Sequence, residues 1–117
     1  MSKSLEIAKK LLNTQVKVTI DRPLNTKHPK HGFVYLANYG YIEGVLAPDG
    51  EELDAYYLGI STPVNFAEGK VIAIIHRTND DDDKLVVVPK NTTLTNEEIE
   101  KEVSFQEQWF DHEIIRS

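Results

Sequence analysis

The sequence contains no cysteine among its 117 residues. This absence excludes disulfide bonds, cysteine nucleophiles and thiolate metal sites, and it is compatible with a reducing compartment. Long hydrophobic runs are also missing: none is longer than the five residues 71–75, whereas a membrane-spanning helix needs about 20 apolar residues. Lysines interrupt the N-terminal residues, which lack the apolar core of a signal peptide. We therefore expect a cytoplasmic protein that does not enter a membrane.

Basic residues are outnumbered, with 13 lysines and arginines against 19 aspartates and glutamates, and the formal net charge is -6. A negative chain repels the phosphate backbone, so we expect no nucleic-acid partner. Binding of single-stranded nucleic acid to a small barrel would need a basic groove with aromatic residues. Here the aromatic residues have acidic clusters beside them, and four of the acids are consecutive at 80–83.

Length and composition favour one globular domain over residues 1–117. The segment 4–12 has apolar residues at helical spacing, and Thr95 with Glu98 forms a capping box that predicts a closing helix with Ile99, Val103 and Phe110 on one face. Strands are predicted at 16–20, 33–36, 41–46, 53–58, 71–77 and 84–89. The pattern predicts an α+β domain, a small closed five-stranded, OB-like β-barrel with a short N-terminal helix and a C-terminal helix.

Two groups of acids fall at predicted strand ends. Asp49, Glu51 and Asp54 surround one turn, and the run 80–83 forms another. If both turns open on the same side of a sheet, their carboxylates repel one another, and cations between them relieve the repulsion. Magnesium is the natural candidate, because it is a hard ion that prefers carboxylate and phosphate oxygens.

Phosphate chemistry follows from such a site. Two magnesium ions about 4 Å apart can hold a bridging hydroxide as nucleophile and stabilise the leaving oxygen. Lys84 and Arg77 lie beside the acids and supply the positive partners that a phosphate needs.

The residues alone leave plainer interpretations open. A run of aspartates is typical of a solvated hairpin tip. His28 and His31 are spaced like a zinc pair, but they lie across Pro29 in a basic loop and are better interpreted as surface or phosphate contacts. Trp109 and Phe110 on the closing helix are most simply core and boundary residues.

Three motifs in order carry a resemblance: YxxNYGYI at 35–42, DGxxxD at 49–54 and DxKLxxVP at 82–89. Together they resemble the soluble (family I) inorganic pyrophosphatases, most strongly over residues 33–89. The resemblance implies a metal-dependent enzyme on a small β-barrel. Its acidic site at the barrel mouth would hydrolyse pyrophosphate to two phosphates by means of a metal-bridged water.

The resemblance also assigns roles to individual residues. The expected ligands of magnesium, with manganese as the alternative, are Asp49, Asp54, Asp80 and Asp82. Glu51 stands where the family has an aspartate that accepts a proton from the attacking water. The residues expected to contact phosphate or line the cavity are Tyr35, Tyr39, Lys84, Lys17 and Arg77. Of these, Tyr39 and Lys84 join Glu51 as the predicted catalytic residues.

The sequence also departs from the family pattern. Asn79 replaces the aspartate that opens the acidic turn, Glu51 is one methylene longer than aspartate, and Trp109-Phe110 replaces a tyrosine-lysine pair of the last helix. Three residues are candidates to replace an expected arginine before the tyrosine motif: Lys27, Lys30 and His31.

The departures keep alternatives open. One is a non-catalytic, pyrophosphatase-like module that binds metal and phosphate, and another is a hydrolase of a different diphosphate. Barrels of this resemblance often assemble, so a homo-oligomer is a further expectation, with Trp109 or Phe110 as a candidate contact.

Overall fold

The computed structural model describes residues 3–30, 32–46, 50–78 and 83–116. The elements follow in the order α1 (Lys3–Leu11), β1 (Gln15–Arg22), β2 (Asn38–Leu46), β3 (Glu52–Tyr57), β4 (Phe66–Arg77), β5 (Asp83–Val88), α2 (Asn96–Glu107) and β6 (His112–Ile115). Across these ranges, no helix is long and apolar enough to cross a membrane.

Five of the strands form a closed barrel. The sheet order is β1-β2-β3-β5-β4-β6, and β1 also pairs with β4, which closes the ring. The twelve-residue β4 makes this possible because residues 66–70 pair with β1, whereas residues 74–77 pair with β6. The predicted α+β architecture, a five-stranded barrel with two helices, is confirmed.

Strands β3 and β5 are parallel neighbours, although they are not consecutive along the chain. Their register places Asp54 opposite Lys84. Because parallel neighbours run the same way, β3 and β5 begin at the same end of the barrel. Asp54 on β3 and Asp83 on β5, which belong to the two acidic groups of the sequence, therefore lie on strands that begin at the same end of the sheet.

Two apolar clusters divide the core. All five barrel strands contribute to the first cluster, with residues such as Val18, Leu53 and Leu85, and α1 packs against it. The second cluster joins the other face of the strands to α2, through residues such as Val86 and Ile99. Since side chains alternate along a strand, the first cluster fills the barrel interior and the second covers its outer face under α2.

Glycine permits one close approach in the barrel wall. A Cβ atom at Gly40 would lie 1.8 Å from the carbonyl oxygen of Thr19 on the neighbouring strand. Only a residue without a side chain fits between β1 and β2 at this point.

The predicted strand at 33–36 is wrong. This segment makes a single isolated bridge between Lys27 and Val34, and the Tyr35 amide donates to Thr26 O at 2.8 Å. Its backbone hydrogen bonds therefore go to the preceding loop instead of the sheet. Tyr35 consequently lies before β2 and does not share that strand with Tyr39, although their rings stack 5.8 Å apart.

The chain end also differs from the prediction. The capping box of Thr95 and Glu98 is confirmed, and Ile99 and Val103 are fully buried. However, α2 ends at Glu107, so Trp109 and Phe110 follow the helix, and β6, which no sequence pattern predicted, comes after them.

Candidate active site

Lys84 lies at the centre of the candidate site. Its Nζ donates to the Tyr39 hydroxyl at 2.7 Å and to Asp54 Oδ2 at 3.0 Å. The Lys84 side chain is only 3% exposed, whereas that of Asp54 is 38% exposed. The β3–β5 register produces the ion pair, because it sets Asp54 directly across from Lys84. A buried ammonium is thus held beside a carboxylate that reaches the surface.

These side chains project from the outer face of the barrel. Asp54 and Lys84 alternate with Leu53, Ala55 and Leu85, which belong to the interior cluster. The described part of the site therefore lies beside α2, at the end where β3 and β5 begin.

Two cavities adjoin here and share three residues, His28, Tyr35 and Tyr39. The first, which we name the mixed-charge cavity, has a volume of about 430 Å³. It is lined by Asp21, Arg22, His28, Pro29, Lys30, Tyr35, Tyr39 and Asp54. The second, which we name the aromatic cavity, has a volume of about 730 Å³. It is lined by His28, Phe33, Tyr35, Tyr39, Arg77, Lys84, Gln106, Trp109 and Phe110.

Tyr35 and Tyr39 of the tyrosine motif line both cavities. The Tyr39 ring lies 4.8 Å from that of Tyr56. Burial raises the pKa of Tyr35, and the positive charges of Arg22 and Lys84 offset this only in part. The Tyr35 phenol therefore remains protonated at neutral pH and can donate a hydrogen bond to an anion.

Asn38 of the same motif has a structural role, because its side chain holds two loops by hydrogen bonds. It is fully buried, and its Oδ1 accepts from the Leu24 and Val64 amides at 3.0 and 3.1 Å. Its Nδ2 donates to Thr62 O at 3.0 Å. Asn38 thus ties two loops to the strand that carries Tyr39.

A buried polar network supports the site from α2. Arg77 Nε and Nη2 donate to the two carboxylate oxygens of Glu107, each at 2.9 Å. The Tyr56 hydroxyl donates to Glu107 Oε2 at 2.6 Å, and Gln106 Nε2 donates to the same hydroxyl at 2.6 Å. Glu107 is 0% exposed and Arg77 is 7% exposed. The network therefore joins the helix end to β3 and β4.

Opposing effects set the pKa of Glu107 in this network. Burial raises the pKa of Glu107, but hydrogen bonds from Arg77 and Tyr56 and the charges of Arg77 and Lys84 outweigh it and leave the pKa below its ordinary value. The Arg77 guanidinium also lies over the Phe110 ring, with Cζ 3.7 Å from the ring centroid. Arg77 is thus a fixed, paired cation in the wall of the aromatic cavity.

Of the four predicted metal ligands, the structure describes only Asp54. Asp49, Asp80 and Asp82 lie outside the described residues. Within the ranges that the structure does describe, no three potential ligands gather into a metal-sized group. Asp54 fits a magnesium ligand, because its partly exposed carboxylate lines the mixed-charge cavity and carboxylate oxygen suits this ion.

The remaining predicted residues have different positions. Glu51 is exposed and directly precedes β3, three residues before Asp54. The Lys17 ammonium lies 4.0 Å from Glu68 Oε1 on β4, with 69% of its side chain exposed, and Lys17 is not among the residues that line the two cavities. Asn79 is outside the described residues.

Sequence reasoning missed several residues near the site. Arg22 lines the mixed-charge cavity because β1 pairs it with Tyr39 on β2. Of the three cations considered as replacements for an arginine, Lys30 lines this cavity and His31 lies outside the described residues. The sequence did place Arg22 at the end of an alternating strand. Only the β1–β2 register, however, shows that its neighbour is Tyr39.

The last aspartate of the acidic run is not part of a solvated tip. Asp83 is 1% exposed, and its Oδ1 lies 2.5 Å from His76 Nδ1 on β4. It begins β5 and is opposite His76 in the β4–β5 register. Asp83 therefore anchors the strand that presents Lys84.

Comparison with known proteins supports this picture. The family model described as inorganic pyrophosphatase matches residues 2–114. Solved structures of inorganic pyrophosphatases are similar to this chain, and we compare three.

The pyrophosphatase of Ehrlichia chaffeensis has a TM-score of 0.67 at 16% identity, covering 87% of this chain and 85% of that one. The Helicobacter pylori enzyme has a TM-score of 0.60 at 15% identity, with coverages of 88% and 82%. That of Neisseria gonorrhoeae has a TM-score of 0.56 at 22% identity, with coverages of 82% and 72%.

No curated protein sequence gives a significant match. At the identities of these three structures, structural likeness shows the fold alone. The family model, however, spans nearly the whole chain, including all three motifs and the strands that bring Asp54 to Lys84. The chain therefore belongs to the inorganic pyrophosphatase family.

Proposed function

We propose that this protein hydrolyses inorganic pyrophosphate to two phosphates in a reaction that depends on magnesium, with manganese as the alternative. The observation that carries the proposal is the position of the Lys84 ammonium, which lies between the Tyr39 hydroxyl and the Asp54 carboxylate. A phosphate-binding cation and a carboxylate suited to a hard metal ion thus meet within 3.0 Å. Membership of the inorganic pyrophosphatase family supports the same reaction.

We assign the cation to Asp54 together with Asp49, Asp80 and Asp82, which the sequence places just before β3 and β5. When bound, a divalent cation would neutralise negative charge on the substrate and would lower the pKa of water. Carboxylates that precede two parallel strands suit this task, because both strands begin at the same end of the barrel.

In the proposed reaction the oxygen of a water molecule forms a bond to one phosphorus atom. The bond between that phosphorus and the bridging oxygen breaks, and the bridging oxygen leaves with the electron pair as part of the second phosphate. Glu51 accepts the proton that the water loses. Lys84 and Tyr39 contact the phosphate oxygens, on which negative charge must be stabilised.

Preorganisation is the main contribution of the described residues. Lys84 is buried and already hydrogen-bonded on two sides, so little reorganisation is needed when phosphate binds. We assign Tyr35 to the phosphate cavity as a hydroxyl donor. Arg77 contributes positive charge from the cavity wall.

The experiment is phosphate release from pyrophosphate by the purified protein with magnesium, with manganese and with a chelator. We expect release that the chelator abolishes. The Asp54→Asn variant should lower the rate by about a hundredfold or more, because it removes charge where substrate and cation meet. The matched control is Asp111→Asn, which changes an exposed aspartate in the segment between α2 and β6 and should retain the rate.

Two outcomes would contradict the proposal. Full metal-dependent turnover by Asp54→Asn would remove the assigned role of this carboxylate. Metal-dependent binding of pyrophosphate by folded protein, without any release of phosphate, would identify a non-catalytic binding module instead.

A further inference from the structure

The aromatic cavity has two chemically different ends. At one end Lys84 Nζ contacts the Tyr39 hydroxyl at 2.7 Å. At the other end Trp109 is 60% exposed, and its ring lies 5.4 Å from that of Phe33. The cavity thus leads from a cation suited to phosphate to an accessible aromatic surface.

The aromatic surface is continuous between these ends. The Phe33 ring lies 5.5 Å from that of Tyr35, and Tyr35 stacks on Tyr39 at 5.8 Å with an interplanar angle of 24°. His28 adds a ring that lies nearly parallel to that of Tyr35, at 5.9 Å and 14°. A ligand that occupies the whole cavity would therefore have aromatic side chains beside it along its length.

Inorganic pyrophosphate can use only part of this cavity. It is a small polar anion with no apolar surface, whereas the cavity has a volume of about 730 Å³, within the range of about 300–1,000 Å³ typical of sites for small organic ligands. Aromatic side chains stabilise a bound flat ring by stacking, and they do so for any base because every base has a π-face. The inorganic anion has no flat ring that could stack on the aromatic part of the cavity.

We propose that the aromatic cavity binds the flat ring of an organic diphosphate, of which a nucleoside diphosphate is the representative. The diphosphate lies at Lys84, and the ring lies against Trp109 and Phe33. The inference rests on the proposed function only for the position of the phosphate groups. It extends the ligands of the site from inorganic pyrophosphate to diphosphate esters that carry a planar ring.

Polar groups in the same wall favour a heteroaromatic ring over a hydrocarbon chain. The Gln106 amide lines the cavity and is held by its hydrogen bond to the Tyr56 hydroxyl. Arg77 Cζ lies over the Phe110 ring, 3.7 Å from its centroid, so one side of that ring is already covered by a charged group. A base with ring nitrogens suits such a wall better than an alkyl tail, which cannot hydrogen-bond.

The test is equilibrium binding of adenosine diphosphate, geranyl diphosphate and inorganic pyrophosphate, by calorimetry with magnesium present and with chelator. Trp109 is the sole tryptophan of the chain, so its fluorescence reports directly on this cavity. We expect saturable quenching by adenosine diphosphate and tighter binding of this probe than of geranyl diphosphate.

Variants make the test specific. Trp109→Ala should lower the affinity for adenosine diphosphate relative to that for pyrophosphate by about tenfold, the effect of losing one stacked ring, and Trp109→Phe should restore most of the ratio. The matched control is Phe66→Ala, which removes another exposed aromatic side chain from outside both cavities. It should bind all three probes as the unmodified protein does.

Three results would overturn the inference: no binding of adenosine diphosphate, an unchanged affinity ratio in Trp109→Ala, or equal binding of geranyl diphosphate. Concentration-dependent dimerisation that Trp109→Ala abolishes, seen by sedimentation, would also overturn it by assigning the aromatic surface to a second copy. Failure of the proposed function has a different signature, because adenosine diphosphate would then still bind while pyrophosphate is not hydrolysed.

Discussion

The variant Glu107→Ala should destabilise the protein by about 3 to 5 kcal/mol, the usual cost of removing one partner from a buried ion pair. Glu107 is 0% exposed and accepts two 2.9 Å hydrogen bonds from Arg77, which is itself 7% exposed. Alanine removes the carboxylate and leaves the guanidinium in a wall that water reaches poorly. The Tyr56 hydroxyl loses its 2.6 Å acceptor at the same time.

These losses are not independent, because the groups share one network. We therefore expect the total to remain within the range for a buried pair instead of summing the separate hydrogen bonds. For a chain of 117 residues, about 1 kcal/mol corresponds to about 4 °C in melting temperature. The expected decrease is about 12 to 20 °C.

The assay is a double-mutant cycle measured by urea unfolding and thermal denaturation at pH 7. Glu107→Ala is measured alone, and the variants of the cycle are Glu107→Leu, Arg77→Met and the two combined. Replacing both charges by apolar groups of similar volume should cost much less than the sum of the single changes, because neither charge is then left unpaired. Additive effects, or a cost below about 1 kcal/mol for Glu107→Ala, would refute the reasoning.

The pH dependence of this penalty has a defined sign. The pKa of folded Glu107 lies below its ordinary value of 4.5, because the effects of Arg77, Tyr56 and Lys84 outweigh burial. A depressed carboxyl pKa stabilises the folded state above the unfolded value, and this contribution is lost as pH falls through the folded pKa. The cost of Glu107→Ala should therefore be full at pH 7 and shrink below about pH 4.5.

Three further predictions concern the fold. Burial lowers the pKa of His112, but hydrogen bonds with Glu100 and a backbone carbonyl raise it overall, so its stabilisation is present below about pH 6.5 and is lost as pH rises through the higher folded pKa. His112→Gln should be destabilised at pH 6 and equal to the unmodified protein at pH 9, and a pH-independent difference in unfolding free energy would contradict this. Gly40→Ala should lower the free energy of unfolding in urea by about 1 to 3 kcal/mol or more, because its Cβ would collide with Thr19 O, and an unchanged value would exclude the close approach. Thr95→Ala should cost about 1 kcal/mol by loss of the α2 cap, measured in the same way, and a cost near zero would show that the cap contributes nothing.

The sequence by itself determined the local features of this protein. Alternation of apolar residues predicted β1, since side chains of a strand point to alternate faces, and short apolar runs bounded by turn residues predicted β4 and β5. The capping box fixed the start of α2 because its hydrogen bonds join residues three apart. The motifs around Tyr39, Asp54 and Lys84 identified the family for a similar reason, because each motif is short and continuous along the chain.

Only the tertiary structure decided which distant residues meet. Asp54 and Lys84 are thirty residues apart and become partners through the parallel pairing of β3 and β5, which no local pattern specifies. The same holds for Arg77, which sequence proximity suggested as a phosphate contact and which the fold pairs with Glu107. Strand β6 was not predicted, because a strand of four residues at the edge of the sheet shows little periodicity of apolar residues. Such contacts depend on strand order and register, which are properties of the whole sheet and not of any one segment.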